Sequence, residues 1–464
     1  MDKLAADLNE ELKKTKVYSM LSDYGRRIYI PKGIIVQSGE AKKKADKYNA
    51  TIGVALEKGT VMYIPSIREQ FSPELEPGEL FPYSPMGGNA ALRELWKKEM
   101  FLKNPSLEGK KFSMPLVCSG LTNALSLVCS LFLDKGDSVV LPSMYWENYD
   151  LILDEQIQAE KVLFDNFEGQ GFNVKGLDKA IASVKADKVA VLLNFPNNPT
   201  GYTPTNEEAD AIAAVLCKYA ELGKKLIVIT DDAYFGLFFE ENVYKESLFA
   251  KICDTSENLL AVKCDAATKE EMVWGFRLAF ITYGFRGSTD ETLDALTQKT
   301  MGAIRGNLSN CSTPGQNILL KGMTAETYHR DKQAGIDKIG RRYHIMKKAL
   351  AKYADKYSLK PYPFNSGYFM SFYTKCDAEA LRQELLNNWG TGAIRLGDHL
   401  LRLAFSSIDA ENIEGLCIHS VQSGGKALLK NIRSIAYPSN EGFLLNVIFF
   451  QFAFLFTKLS VQVI

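Results

Sequence analysis

The sequence predicts an α/β fold: a large domain with a mostly parallel central sheet covered by helices, joined to a smaller α+β domain. Three observations carry that prediction. The runs "DKVAVLLN" (187–194) and "KKLIVITDDAYF" (224–235) are continuously apolar up to their polar ends, as strands buried on both faces must be. Between them, "TNEEADAIAAVLCKYAELG" is helical: Thr205 and Glu208 match a capping box, Ile212, Val215, Leu216, Tyr219 and Ala220 share one face, and Gly223 closes it. Composition completes the case, since 46% hydrophobic and 24% charged residues over 464 positions describe an ordinary globular chain with room for a large core.

Strand, helix and strand in about 45 residues make a right-handed βαβ unit, and ligands of such sheets bind beyond the carboxyl ends of the strands. That rule places "FPNNPTGYTP" (195–204) and "DDAY" (231–234) at a site. Earlier, "LVCSGLTNALSLVCSLFL" (116–133) passes through Ser119 and Gly120 into a helix whose first N–H groups are free to hold an anion. Neither G-x-x-x-x-G-K-[ST] nor G-x-G-x-x-G occurs, so a nucleotide is not indicated. Beyond about 330, "IDKIGRRYHIMKKALAKYADKY" (336–357) reads as a long amphipathic helix, and short strands follow around "FNSGYFMSFY" and "LLRLAFSSI". The expected division is 1–65 contributing to the small domain, 66–330 the large domain, 331–435 the small C-terminal domain, and 436–464 an apolar tail.

Lysine plus arginine equals aspartate plus glutamate at 55 each, so no basic field exists to gather nucleic acid or anionic lipid, and a small-molecule partner is expected. The eight cysteines show no C-x-x-C and the four histidines no H-E-x-x-H, which signals neither a metal site nor a disulfide framework and fits reduced thiols in the cytoplasm. The start, "MDKLAADLNEELKKTK", has neither signal-peptide nor transit-peptide character. The run "FLLNVIFFQFAFLF" (443–456) is shorter than the roughly 18 to 20 residues that span a bilayer. A buried element is the first reading of it, with a sticky tail or a membrane-touching terminus as the others.

Four features in this order and spacing, "NNPTG" (197–201), "DDAY", Lys269 and Arg277 eight residues later, resemble the fold-type I pyridoxal-phosphate aminotransferases of class I and II, in particular the aspartate aminotransferase branch. With "FPYSPMGGNAALR" (81–93), "PSMYWENY" (142–149) and "LRLAF" (401–405), the resemblance covers about 49–410. It implies pyridoxal 5'-phosphate as cofactor, and the residue types suit it. A pyridinium ring is an electron sink only while protonated, which calls for a fixed anion, Asp231. Lys269 resembles the lysine that holds the cofactor covalently and moves the substrate proton; Arg277 resembles the phosphate-binding arginine. Gly120, Leu121 and Thr122 would donate further phosphate contacts, Trp146 would stack on the ring, and Tyr234 and Asn198 would reach its phenolic oxygen. Tyr83 resembles a tyrosine that reaches the phosphate from a neighbouring subunit, so the resemblance implies a homodimer.

For substrate, the resemblance gives Arg402 the α-carboxylate, Gly53 a place in the segment closing over it, and Asn198 a supporting contact. Arg305 in "AIRGNLSN" stands where a distal carboxylate is held across the dimer, though an interface arginine is the other reading. The expected activity is therefore transamination between an amino acid and a 2-oxo acid, dicarboxylic substrates preferred. Aromatic amino acids are the rival substrates, and a β/γ-lyase or a non-catalytic cofactor-binding regulator the rival classes. The sequence departs from the family in having Ala266 where a hydroxyl helps hold the phosphate, with Thr268 the nearest substitute. Glu270 and Glu271, beside Lys269, read as solvent-facing.

Overall fold

A seven-stranded sheet organises the chain, and its strand ends converge where the sequence puts its unusual polar residues. The structure, a computed structural model, describes residues 1–31, 33–353 and 360–423. The apolar run 443–456 lies outside them, as do the end of the predicted helix at 354–357 and the C-terminal part of the expected division. The sheet strands are β1 (Leu116–Cys118), β2 (Ser138–Pro142), β3 (Glu160–Phe164), β4 (Lys188–Asn194), β5 (Lys225–Asp232), β6 (Leu259–Ala266) and β7 (Ala279–Gly284). They lie in the order β1-β7-β6-β5-β4-β2-β3. Only β7 runs against its neighbours; β6 to β3 pair in parallel throughout.

β4 and β5 are buried along almost their whole length, which explains their unbroken apolar runs: helices cover both sheet faces, so neither face of a strand has to be polar. The helix between them, Asn206–Glu221, has the expected capping box at Thr205 and Glu208, and buries Ile212, Leu216, Tyr219 and Ala220, with Val215 only half-buried. It ends as the sequence predicts, with Gly223 N–H donating to Ala220 and Lys224 N–H to Tyr219.

Five further helical segments serve the argument below: α1 (Gly33–Lys44), α2 (Ala90–Lys103), α3 (Leu121–Phe132), α4 (Ala267–Glu270, a single turn following β6) and α5 (Tyr328–Tyr353). The last begins eight positions before the predicted start at 336, since Tyr328, Lys332 and Gly335 are all buried against the large sheet's side. A second, antiparallel sheet is built from β8 (Lys360–Pro361), β9 (Phe369–Tyr373), β10 (Ile394–Leu396) and β11 (Leu400–Ala404), in the order β8-β9-β11-β10. Tyr48 and Asn49 pair in parallel with Thr391 and Gly392, and Gln37 of α1 exchanges two hydrogen bonds with the Arg395 backbone. The N-terminal segment is thereby tied to the smaller sheet.

The two sheets meet at the loop 195–201. Gly201 has φ +76°, and a Cβ there would lie 2.0 Å from the Phe369 carbonyl oxygen and 2.9 Å from that of Ser366. Its own carbonyl accepts from the N–H groups of Asn365 and Ser366, each at 2.9 Å. Glycine is required here twice over, by dihedral angle and by contact with backbone that cannot swing away. Gly109 shares the positive φ but has nothing within 4 Å, and so isolates the dihedral cost. Gly109→Ala should lose about 1–2 kcal/mol and Gly201→Ala on the order of 3 kcal/mol or more in denaturant titrations; equal losses would contradict the contact argument.

Candidate active site

Beyond the carboxyl ends of β4, β5 and β6 lies a cavity of about 420 Å³. Of the residues singled out by sequence, Gly53, Leu121, Thr122, Trp146, Asn198, Asp231, Tyr234, Thr268, Lys269, Arg277 and Arg402 line it. The chain brings them together from elements as far apart as the N-terminal segment and β11. Gly120 stands immediately behind the wall. Tyr83, 88% exposed, and Arg305, exposed and donating to Ser309 Oγ at 2.7 Å, are not among the lining residues.

Asp231 sits near the end of β5, in register with Asn194 of β4 and Cys264 of β6. Its carboxylate is buried, accepts from the Tyr149 hydroxyl and takes the Ala233 N–H at 3.0 Å. Burial raises its pKa above the usual carboxylate value, and those hydrogen bonds oppose the rise. Asn194 ties the strand ends to the loop: its amide donates to the Asp231 carbonyl and its oxygen accepts from Asn198 N–H, both at 2.8 Å. Neither Tyr149 nor Asn194 was assigned a role by sequence reasoning. Tyr149 closes the "PSMYWENY" stretch, and the signal that it matters is a spatial one, a partner 82 positions away.

Lys269 lies on α4, just past the end of β6. Its ammonium stands 4.8 Å from the Tyr234 ring centroid. Burial brings its pKa down to about 8, Arg277 adds to the fall and Asp231 opposes it. Such an amine is half neutral near pH 8, so a usable fraction of it can act as nucleophile or base at physiological pH. Tyr234 is buried and its hydroxyl held above its ordinary pKa, chiefly by burial.

At the other end of the cavity, Arg277 occupies a left-handed backbone position, φ +55°, at a cost of about 1–2 kcal/mol. That conformation aims its guanidinium at Gly120, where a Cβ would lie 2.2 Å from Nη2. Gly120 therefore leaves the room that Arg277 fills, and as the residue before α3 it provides no side-chain cap. A guanidinium, the open start of a helix at Leu121 and Thr122, and the Thr268 side chain form a cradle suited to a phosphate. Thr268, the hydroxyl nearest in sequence to Ala266, is buried and lines the cavity. A buried anion at one end, a cationic cradle at the other and a partly neutral amine between them fit pyridoxal phosphate.

Arg402 of β11 donates from Nη1 to Asn198 Oδ1 at 3.0 Å and lies 4.3 Å above the Phe369 ring. Its Nε is buried without a partner among the described residues, leaving donor capacity toward a ligand carboxylate. Ile34, Ile52, Trp274 and Phe369 complete the wall with apolar surface. One expectation is overturned. Glu270 and Glu271 are 2% and 0% exposed, not solvent-facing, because Lys103 and Lys332 neutralise them inside the protein.

Comparisons with known proteins bear on this geometry. A family model described as aminotransferase class I and II matches residues 46–419. The chain is 26% identical over 220 residues to an aspartate aminotransferase of Bacillus subtilis (46% of this chain, 50% of that protein). It is 25% identical over 191 residues to a tyrosine aminotransferase of Caenorhabditis elegans (40% and 39%). The chain thus spans about half the length, or less, of these curated relatives. An aminotransferase from Anaerococcus prevotii superposes with a TM-score of 0.77 at 22% identity, over 87% of this chain and 98% of that one, a likeness of fold.

The Lys269 amine offers a direct check on the site's electrostatics. Acetylation of the cofactor-free chain by acetic anhydride, followed peptide by peptide across pH, should half-saturate at Lys269 near pH 8, whereas exposed lysines do so near about 10.4. The sign for stability follows: between these values unfolding takes up a proton at Lys269, so this group's contribution rises with pH and is flat below about 8. A Lys269 midpoint equal to that of surface lysines would refute its burial.

Proposed function

The chain belongs to the aminotransferase class I and II family, and from that premise we propose that it is a pyridoxal-phosphate-dependent aminotransferase, exchanging an amino group between an amino acid and a 2-oxo acid. The observation that carries the reading is the meeting of Lys269 with the buried Asp231 carboxylate and the Arg277 cradle in one cavity. When bound, pyridoxal phosphate supplies an electron sink conjugated to the substrate α-carbon. Asp231 would hold positive charge at the ring nitrogen, with Tyr149 keeping that carboxylate aimed. Arg277, the start of α3 and Thr268 would hold the phosphate. Arg402, steadied by Asn198, would bind the substrate carboxylate, and Lys269 Nζ would take the proton from the substrate α-carbon and hold it for return. Trp146 and Phe369 keep water from that path.

Dicarboxylic substrates are the first choice, on the strength of Arg305 acting from the second subunit of a homodimer, where exposed Tyr83 also finds its place. The apolar wall of Ile34, Ile52, Trp274 and Phe369 favours a second reading, an aromatic substrate. The eight free cysteines favour a reducing cytoplasm. No helix among the described residues is long and apolar enough to cross a membrane.

Borohydride treatment of the chain loaded with pyridoxal phosphate should leave the cofactor mass on the Lys269 peptide, and Lys269→Ala should abolish the label and cut transamination at least about a thousandfold. Label on another lysine would sink the assignment. Arg305→Asp should lower kcat/KM for aspartate about a hundredfold and leave phenylalanine nearly unchanged; equal losses, or none, would favour the aromatic reading.

A further inference from the structure

Two buried charge clusters flank the Lys269 turn without lining the cavity. In the first, Lys263 of β6, 0% exposed, donates to Asp232 at 2.6 Å and pairs with Asp265 at 2.8 Å. Ser247 donates to the same Asp232 at 2.6 Å, and the Trp96 indole N–H to Asp265 at 3.2 Å. The second follows Lys269 in sequence. Glu270 accepts from Lys103 of α2 at 3.0 Å and from Lys332 of α5 at 2.7 Å; Glu271 accepts from Lys332 at 2.7 Å and from the Tyr328 hydroxyl at 2.8 Å. Trp96 links the clusters, since the Lys103 ammonium lies 4.9 Å from its ring centroid.

Charges this deep are tolerated only when matched. Two lysines and two glutamates balance in the second cluster, and a buried position next to a reactive lysine is an expensive place to keep four charges. Apolar residues would fill the space at no such cost. What the charges add is direction: hydrogen-bonded carboxylates fix where the chain runs, while packing tolerates sliding. Glu270 is also seated against Gly236, where a Cβ would lie 2.8 Å from Oε1. The Tyr368 hydroxyl donates to the Lys269 carbonyl at 3.1 Å. The turn is thus gripped by α2, by α5 and by the residues before β9, while the Lys269 amine lies over the Tyr234 ring.

We infer that Lys332 and Lys103 are positioning residues for Lys269, setting the place of its amine through Glu270 and Glu271. The inference rests on the reading of Lys269 as the reacting amine. A displacement of about 1 Å at a reacting group costs about a hundredfold in rate, and the clamp is what holds α4 against it.

The test uses the full-length chain and two charge-balanced pairs, Lys332→Met with Glu271→Gln, and Lys103→Gln with Glu270→Gln, each leaving the other ion pair intact. Asp231 and Arg277, the charges that face the amine, are untouched. In the cofactor-free chain, each pair should move the Lys269 acetylation midpoint from about 8 up to about 9 as water enters. In the loaded chain, kcat should fall about tenfold or more with KM within about threefold, and Lys332→Arg alone should retain both wild-type values. A lower melting temperature with midpoint and kcat unchanged in both pairs would overturn the inference, leaving the network a structural one. Borohydride label on a different lysine in the wild type would instead overturn the reading of Lys269, whatever the variants do.

Discussion

A carboxylate sealed inside a protein must find compensation, and the neighbourhood of Asp231 is the answer to that requirement. It stands near the end of a central strand, buried, with the Tyr149 hydroxyl and the Ala233 N–H as its donors. Supplying them dictates the path of three segments. The 142–149 stretch has to bring a tyrosine under the strand end, β5 has to turn at Ala233, and Asn194 has to brace the Asp231 carbonyl while holding the loop that carries Asn198. The cavity's polarity follows from the same constraint, because the negative end is placed by β5 and the positive end, at Arg277, by the strained turn that leads into β7. Lys269 lies in the field of both and in little water, which is why its amine is poised near neutrality.

Much of this was readable from residues alone where the signal is local. The buried strands announce themselves as apolar runs, the helix between β4 and β5 by Thr205, Glu208 and its 3.6-residue face, and the strand ends by the polar residues that interrupt them. The residues that converge on the cavity were picked out because "NNPTG", "DDAY", Lys269 and Arg277 stand at family-like spacings. What escaped is what only the third dimension creates. Tyr149 becomes a partner of Asp231 only once β2 and β5 lie in one sheet. Two consecutive glutamates beside a loop lysine look solvated in one dimension, and nothing in the local sequence announces Lys332, 62 positions from Glu270, as their counter-ion. Tyr83 and Arg305 mark a different limit, since their assigned work requires a second copy of the chain.

Asp231 and Lys269 belong to the large sheet and to the turn that leaves it, where strand register and hydrogen bonds place them. Arg402 belongs to the smaller sheet, and its bond to Asn198 crosses from one sheet to the other.

Gly201 turns that crossing into a rule about inheritance. With its α-carbon pressed on the Phe369 carbonyl and its own carbonyl held by Asn365 and Ser366, the loop 197–201 and the 365–369 backbone form one interlocked piece, although 160-odd residues separate them in the gene. They drift as a unit or not at all. Recombination that exchanges the smaller sheet between relatives has its natural seam outside both segments, and a chimaera cut at the expected domain boundary near 330, inside α5, would join a socket from one parent to a plug from the other.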